Sequence, residues 1–219
     1  MVATLFDFNG VLVDDESVHL AAFREVLRPL GVTFDDATYA ERYLGFDDAG
    51  AFRAMLEDAG RSPTAAQVQR LIDAKRPVYM ERIDGALVVF DGAVELVRRR
   101  AALGSVGIVS GALREEIEHA LAVMGIQDAI TFIVAAEDVK HCKPHPEGYL
   151  LALKALAGAG PAVVIEDSTA GIEAAKKAGL RCAAVAHSFP EARLRAAGAD
   201  VVASRLDDLT DLLLDGVVR

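Results

Sequence analysis

The sequence of 219 residues is 53% hydrophobic and 26% charged, which is the composition of a folded globular protein and excludes a disordered chain or a small disulfide-stapled scaffold. Its 23 Lys and Arg residues stand against 33 Asp and Glu residues, and the net charge of −10 would repel a phosphate backbone. We therefore expect no nucleic-acid partner.

The cysteine content and the apolar segments indicate the cellular compartment. The two cysteines, Cys142 and Cys182, do not suggest a paired framework and favour a reducing compartment. The first ten residues lack the basic start and the apolar run of a secretory signal. No stretch reaches about 18 uninterrupted apolar residues, so we expect no membrane span. We expect a cytoplasmic monomer.

Short apolar runs of strand length recur along the chain and are separated by patterns of helical period. The segment from residue 112 to 124, for example, carries apolar residues at helical spacing and ends before Gly125. This alternation predicts a doubly wound parallel α/β sheet. The predicted strands are Ala3–Phe8, Val106–Val109, Ile130–Ala135, Ala162–Ile165, Cys182–Ala186 and Asp200–Ala203.

The alternation fails between residues 15 and 85, where four helical patterns follow one another. They cover Val18–Leu30, Ala37–Leu44, Ala49–Ala59 and Ala65–Met80. We predict a helical cap inserted into a sheet domain that consists of residues 1–14 and 86–219. Because the chain crosses between the two only near Val13–Glu16 and Arg82–Ala86, we expect the cap to move as a unit over the end of the first strand.

One basic run stands out against the acidic background. Arg98, Arg99 and Arg100 follow Leu96 and Val97 on an amphipathic helical pattern. We interpret these arginines as a solvated helix face rather than as a patch that binds nucleic acid.

Polar side chains follow several of the predicted strands. Asp7 ends the first strand, Ser110 the second, and Glu166 with Asp167 the fourth, while Lys143 follows the third. In an open α/β sheet the ligand crevice lies beyond the carboxyl ends of the strands, so these groups should meet there. Carboxylates hold a hard cation such as Mg²⁺, and Lys and Ser bind phosphoryl oxygens, which together indicate phosphoryl transfer.

Each of these residues also has a purely structural interpretation. Asp7, Ser110 and Asp167 fit helix or loop caps, Lys143 before a proline fits an exposed turn, and Ser168 fits the N-cap of the next helix. Their joint occurrence at successive strand ends favours the functional interpretation.

The residues resemble the haloacid dehalogenase superfamily and, within it, the β-phosphoglucomutase-like branch with a helical cap. The resemblance spans essentially the whole chain and is carried by FDFNGVLVD, Ser110, KPHPEGY and EDSTAGIEAAKKAG. It implies that Asp7 attacks phosphorus to form an aspartyl phosphate. It also implies an Mg²⁺ site formed by Asp7, the backbone carbonyl of Asn9 and Asp167, with Glu166 supporting the metal directly or through water.

Asn9 departs from that pattern, because phosphatases and mutases of the family carry a second Asp there as general acid and base. An amide has no titratable proton, although it can accept and donate hydrogen bonds. General acid–base catalysis is worth about 10² to 10⁴ in rate. The sequence therefore predicts an intact metal site and impaired turnover.

The resemblance also assigns residues around the substrate. His19 and Lys75 match cap positions that couple cap closure to catalysis, and Gly111 follows Ser110 in the second motif. The loop YLGFDDAG resembles a substrate-reading cap loop, which implicates Gly45 and Phe46. The structural alternatives are a boundary His on an amphipathic helix and a solvated Lys.

Two further patterns narrow the ligand. Asp47 and Asp48 stand where phosphomutases place a basic residue, so a bisphosphate is disfavoured. His141, Cys142 and His145 suggest zinc, but Pro144 and Pro146 interrupt them and the sequence offers no fourth ligand nearby, so zinc is disfavoured.

The favoured function is Mg²⁺-dependent hydrolysis of a small phosphomonoester, such as a sugar phosphate or phosphoglycolate, through an aspartyl phosphate. The alternative from a different class is a catalytically silent member that binds a phosphorylated metabolite. A mutase or a dehalogenase is less favoured. The pair Glu166 and Asp167 disfavours a dehalogenase, because these carboxylates beside Asp7 would repel one another without a cation.

Overall fold

The computed structural model describes residues 2–85, 87–157 and 160–218. The chain forms two compact units, one made of residues 1–14 and 88–219 and the other of residues 15–87. The sequence placed the return to the sheet at residue 86, which lies outside the described residues, and the second unit extends to residue 87.

The first unit contains a six-stranded sheet in which each strand pairs in parallel with its neighbours, in the order β3-β2-β1-β4-β5-β6. The predicted parallel α/β fold is confirmed, and the strand bounds differ from the prediction by at most two residues. The strands are β1 Ala3–Phe6, β2 Val106–Val109, β3 Phe132–Val134, β4 Ala162–Glu166, β5 Arg181–Val185 and β6 Val201–Ala203.

Strand β1 is central and fully buried, with β2 on one side and β4 on the other. Its ladder with β4 reaches Asp7, whose backbone N–H still donates to the Ile165 carbonyl at 2.9 Å. The chain then turns back, because Leu12 N–H bonds to the Phe8 carbonyl at 2.8 Å and Gly10 adopts a φ of 76°. Asp7 is therefore held by the sheet while Asn9 lies in a tight turn.

Helices pack against this sheet and connect its strands. The β-branched and aliphatic strand residues are covered, as in other parallel sheets, and a cluster of buried aliphatic side chains from β4, β5 and the neighbouring helices forms much of the core. The helices are α5 Ala93–Leu103, α6 Arg114–Met124, α7 Glu147–Ala155, α8 Thr169–Lys177, α9 Glu191–Ala196 and α10 Asp211–Val217, with 3₁₀ turns at Gln127–Ala129, Ala136–Asp138 and Leu206–Asp208.

The second unit is helical, as the sequence pattern predicts. Its longest helix begins with a capping box in which Thr64 and Gln67 satisfy each other's backbone N–H groups. Phe23 and Phe52 meet edge to face in its core, with ring centroids 4.9 Å apart. Across the described residues, no helix combines the length and the apolar composition needed to cross a membrane. The helices are α1 Glu16–Leu27, α2 Asp36–Arg42, α3 Asp48–Asp58 and α4 Ala65–Ile83, with a 3₁₀ turn at Arg28–Leu30.

The interpretation of the arginine run as a solvated face is wrong for Arg100. Its side chain is completely buried and donates to Thr4 Oγ1 at 2.8 Å and to the Val2 carbonyl at 3.2 Å. Asp211 and Asp215 of α10 neutralise the guanidinium at 3.1 and 2.9 Å. A helical pattern alone does not distinguish this paired, inward arginine from exposed Arg98, because the partners lie about a hundred residues away.

Candidate active site

The polar strand-end residues converge because β2, β1 and β4 are neighbours in the sheet. Lys143 reaches the same edge from the loop before α7. Its Nζ lies 2.6 Å from Asp7 Oδ1 and 2.6 Å from Glu166 Oε1, and it donates to the Val109 carbonyl at 2.9 Å. The exposed-turn alternative for Lys143 is therefore wrong.

Three buried carboxylates form the centre of the site. Asp7, Glu166 and Asp167 each offer an oxygen, and these atoms lie within 4.8 Å of one another. Burial raises the pKa of Asp7 to about 7, with Lys143 opposing the rise and Glu166 adding to it. Burial, followed by the charges of Asp7 and Glu166, raises the pKa of Asp167 well above its ordinary value.

This donor set fits a hard divalent cation. Lys143 contacts Asp7 and Glu166, and Asp167 lies beside them, so one ammonium faces three crowded carboxyl groups. Carboxylate oxygens are the ligands that Mg²⁺ prefers. The residues present are thus suited to hold Mg²⁺.

Lys143 is a cation in this environment. Burial by itself lowers the pKa of Lys143, but the adjacent carboxylates of Asp7 and Glu166 outweigh burial and raise the pKa above its ordinary value. The ammonium also lies 5.3 Å from the centroid of the Tyr149 ring. It is therefore equipped to act by charge rather than by proton transfer.

Both oxygens of Glu166 are engaged by protein groups. Oε1 accepts from Lys143 and from the Tyr149 hydroxyl at 2.8 Å, while Oε2 accepts from the Ser168 hydroxyl at 3.0 Å. Ser168 in turn caps α8 by accepting from Gly171 N–H at 3.0 Å, so its predicted capping role is confirmed. A side chain at Gly171 would overlap the Glu166 carboxylate, which explains the glycine there.

Asn9 and Ser110 lie side by side. Ser110 Oγ donates to Asn9 Oδ1 at 3.3 Å and accepts from Ala112 N–H at 3.0 Å. Gly111 occupies the same turn after β2. The amide oxygen of Asn9 thus accepts a hydrogen bond from the Ser110 hydroxyl. The amide has no acidic proton to donate to a leaving group.

Two residues that follow β5 also belong to this site, and the sequence analysis did not find them. Ser188 donates a hydrogen bond from Oγ to Asp167 Oδ2. His187 Nδ1 lies 2.9 Å from the Gly10 carbonyl, and its ring stacks on Phe90 with centroids 3.9 Å apart. The strand-end rule, if applied to the fifth strand, would have indicated both.

In the helical unit, Lys75 is completely buried, so the solvated interpretation is wrong. Its Nζ lies 2.6 Å from Asp48 Oδ1 and 2.7 Å from His19 Nδ1. His19 Nε2 faces Asp15 at 3.3 Å, and Tyr79 donates to the same carboxylate at 2.5 Å. Local sequence patterns do not indicate that Asp48 is the partner of Lys75, since the two lie 27 positions apart.

The predicted substrate loop of the helical unit has its own local structure. Gly45 adopts a φ of 83°, and the side chain of Phe46 is 54% exposed. Asp47 caps α3 by accepting from Gly50 N–H at 3.3 Å. The assignment of His19, Lys75, Gly45, Phe46 and Gly111 to substrate stays a prediction.

Comparison with known proteins places the chain among its relatives. Residues 4–185 match the family model described as haloacid dehalogenase-like hydrolase. A validoxylamine A 7'-phosphate phosphatase from Streptomyces hygroscopicus subsp. limoneus is 33% identical over 211 residues, which cover 95% of this chain and 94% of the relative.

Two solved structures share the fold. β-Phosphoglucomutase from Clostridium difficile superposes with a TM-score of 0.87 at 24% identity, covering 100% of this chain and 97% of the other. CbbY from Rhodobacter sphaeroides, in complex with phosphate, gives a TM-score of 0.85 at 26% identity, covering 98% and 100%. This chain accordingly belongs to the haloacid dehalogenase-like hydrolases, as its motifs predict, and it has the fold of the β-phosphoglucomutase structure.

Proposed function

We propose that the protein is an Mg²⁺-dependent hydrolase of a small phosphomonoester, with Asp7 as the nucleophile and turnover limited by Asn9. The observation that carries this proposal is the convergence of Asp7, Lys143 and Asp167 in one buried cluster. A relative named as a phosphatase supports the reaction class. The phosphate in the CbbY structure supports the ligand class.

Asp7 is the group best placed to attack phosphorus. It directly follows the central strand, and its backbone is fixed by the bond to the Ile165 carbonyl. Its Oδ1 contacts the Lys143 ammonium, which opposes the effect of burial on the pKa of Asp7 and so favours the charged carboxylate that acts as a nucleophile. Attack forms a bond from an Asp7 oxygen to phosphorus, and the ester oxygen leaves with the bonding electrons.

Lys143 and Ser110 are the residues that bind the phosphoryl group. The ammonium of Lys143 is directed at Asp7, so it can also compensate charge on the phosphoryl oxygens that approach this carboxylate. The Ser110 hydroxyl, now directed at Asn9, is available as a donor to a phosphoryl oxygen. Both residues bind and orient the group, and neither has to transfer a proton.

Asp7 and Asp167 are the side chains that would hold Mg²⁺, together with the Asn9 backbone carbonyl. When bound, the ion supplies positive charge that offsets the repulsion between carboxylates and phosphate. Glu166 contributes by holding Lys143 and the turn at residues 167–168, because both of its oxygens already accept protein hydrogen bonds.

The proposed substrate carries one phosphate. A second phosphate would require a cation at this loop. In the helical unit, positions 47 and 48 carry carboxylates instead: Asp47 caps a helix, and Asp48 pairs with Lys75. This arrangement supports a monophosphate ester rather than a bisphosphate.

Asn9 supports a second candidate, a protein that binds a phosphorylated metabolite without turning it over. Its side chain accepts a hydrogen bond from Ser110 but has no acidic proton for a departing alkoxide. Under this alternative the cation and phosphoryl sites remain, and the reaction stops at the bound ester.

A panel of phosphate esters assayed with and without Mg²⁺ separates these functions. The hydrolase requires Mg²⁺-dependent phosphate release that disappears in Asp7→Asn and persists in the matched control Asp14→Asn, whose side chain is exposed. Metal-dependent thermal stabilisation by an ester, without release, supports the binding protein. Equal release by wild type and Asp7→Asn would overturn the assignment of the nucleophile.

A further inference from the structure

A second cluster of metal-binding side chains lies on the loop that carries Lys143. His141 and His145 flank this lysine, and Glu147 begins α7 immediately afterwards. His141 Nδ1 lies 3.0 Å from Glu147 Oε2, and His145 Nδ1 lies 3.9 Å from the same oxygen. The two imidazole rings have centroids 4.7 Å apart.

These separations match those required around a small divalent ion. Zinc binds His nitrogen and carboxylate oxygen at about 2.0–2.1 Å, so two ligand atoms in a tetrahedral site lie about 3.4 Å apart. The observed distances of 3.0 and 3.9 Å lie on either side of that value. Small rotations of two exposed imidazoles are enough to bring both nitrogens and the oxygen onto one ion, because the side chains of His141 and His145 are 65% and 51% exposed.

The carboxylate of Glu147 is held in place by protein hydrogen bonds alone. Glu147 accepts hydrogen bonds from the backbone N–H groups of Lys140 and His141, each at 3.1 Å. These bonds and the neighbouring His141 hold the pKa of Glu147 below its ordinary value, so the carboxylate is charged at neutral pH. His145 Nδ1 accepts from the Glu147 backbone N–H at 3.3 Å, which places this ring nitrogen beside the residue that supplies the carboxylate, and an ion would replace this hydrogen bond.

We propose that His141, His145 and Glu147 form a site for a borderline divalent transition-metal ion, such as Zn²⁺, separate from the Asp7 and Asp167 cluster. The ligand set distinguishes the two sites. Imidazole nitrogen favours Zn²⁺, Ni²⁺, Co²⁺ or Cu²⁺, whereas an all-oxygen cluster favours Mg²⁺. Two protein nitrogens and one oxygen leave the fourth position of a tetrahedral ion for water.

The structure changes the interpretation of the HCKPHPE segment. The sequence disfavoured zinc because prolines interrupt His141, Cys142 and His145 and no fourth ligand was expected nearby. Glu147, two residues beyond His145, is brought to both histidines by the turn in which His145 N–H bonds to the Cys142 carbonyl at 2.9 Å. The prolines help to form this turn rather than separate its ligands.

Occupancy has a direct consequence for the phosphoryl site. Lys143 lies between the two histidines, and its Nζ contacts Asp7 and Glu166. An ion bound by His141 and His145, which flank Lys143 in the sequence, restricts the backbone of the loop from residue 140 to residue 147. We therefore expect slower amide hydrogen exchange in this segment when the ion is present.

The test is Zn²⁺ titration of the full chain in saturating Mg²⁺, by competition with a chromogenic chelator. We expect one site with a Kd in the micromolar range, weakened at least tenfold in His141→Gln and in His145→Gln. Asp167→Asn and Cys142→Ala serve as controls and should retain this site. Unchanged affinity in both His variants, or loss in a control but not in the His variants, would overturn the proposal.

A second measurement identifies the ligands without substitution. The chain has five histidines, so ring ¹⁵N resonances can be assigned individually. Stoichiometric Zn²⁺ should shift those of His141 and His145 and leave those of His19, His119 and His187 in place. Shifts confined to His187, or no shift in any imidazole at one equivalent, would contradict the site.

Discussion

The hydroxyl of Ser188 donates a hydrogen bond to the carboxylate of Asp167, which joins the end of β5 to the acidic residue after β4. This bond lowers the pKa of Asp167 against the opposing effects of burial and of the Asp7 and Glu166 charges. Ser188 therefore favours the charged form of a proposed metal ligand and fixes its orientation.

Ser188→Ala should weaken Mg²⁺ binding about tenfold, because hydrogen-bond partners of ligands typically contribute 10–100-fold to metal affinity. Calorimetric titration with Mg²⁺ measures the change. Ser204→Ala, at an exposed position after β6, provides the matched control and should bind as the wild type does. Equal affinity in the two variants would show that Ser188 does not support the metal site.

Asn9→Asp should raise turnover of alkyl phosphates by about 10² or more, because a carboxyl group can protonate the departing alkoxide. The gain should be small for aryl and acyl phosphates, whose leaving groups need no proton. Steady-state kinetics over a series of leaving groups provides the measurement. A gain that is independent of the leaving group would point to repacking around Ser110 instead of proton transfer.

Stabilisation by Mg²⁺ should grow as pH rises from about 5.5 to 8. Burial raises the folded-state pKa of Asp7 from 3.8 to about 7, and that of Asp167 also rises. Without metal, the contribution of Asp7 to stability is complete below pH 3.8 and is lost as pH rises through about 7, because ionisation then leaves a buried charge and adds repulsion from Glu166. A bound cation removes that repulsion.

Thermal unfolding at several pH values, with Mg²⁺ or with EDTA, measures this effect. The difference in Tm between the two conditions should be larger at pH 8 than at pH 6. Asp7→Asn should flatten the pH dependence. A metal-induced shift in Tm that is the same at both pH values would contradict the proposed ligands.

Arg100→Met should lower the free energy of unfolding by about 3 kcal/mol, because it removes the buried donor to Thr4 and Val2 together with both ion pairs to Asp211 and Asp215. The neighbouring Arg98→Met should cost less than about 1 kcal/mol, since Arg98 is half exposed and lies 3.9 Å from Asp128. Urea denaturation of the two variants compares the values. Similar losses would refute the structural role of Arg100.

Local sequence features predicted the parts of this molecule that depend on short-range order. The strand at Val106–Val109 and the capping role of Ser168 follow from apolar runs and N-cap preference, and both are confirmed. The meeting of Asp7, Lys143 and Asp167 followed from one further rule, that parallel strands end at the same edge.

The features that the sequence did not reveal depend on distant partners. Arg100 and Lys75 carry the polar character of surface residues, yet each is buried against carboxylates that lie 27 to 115 positions away in the sequence. Periodicity reports which face of a helix is apolar. It does not report that a charged residue will find an opposite charge once the chain has folded.

The paired guanidinium of Arg100 also constrains the order in which this fold can be completed during synthesis. β1 is made first, but both of its neighbours come later, since β2 begins at residue 106 and β4 at residue 162. The buried cation that bonds to Thr4 is neutralised only when residues 211 and 215 arrive. A nascent chain halted before α10 therefore carries an uncompensated charge against its central strand, and the strand that precedes Asp7 is secured only once residues 211 and 215 have been synthesised.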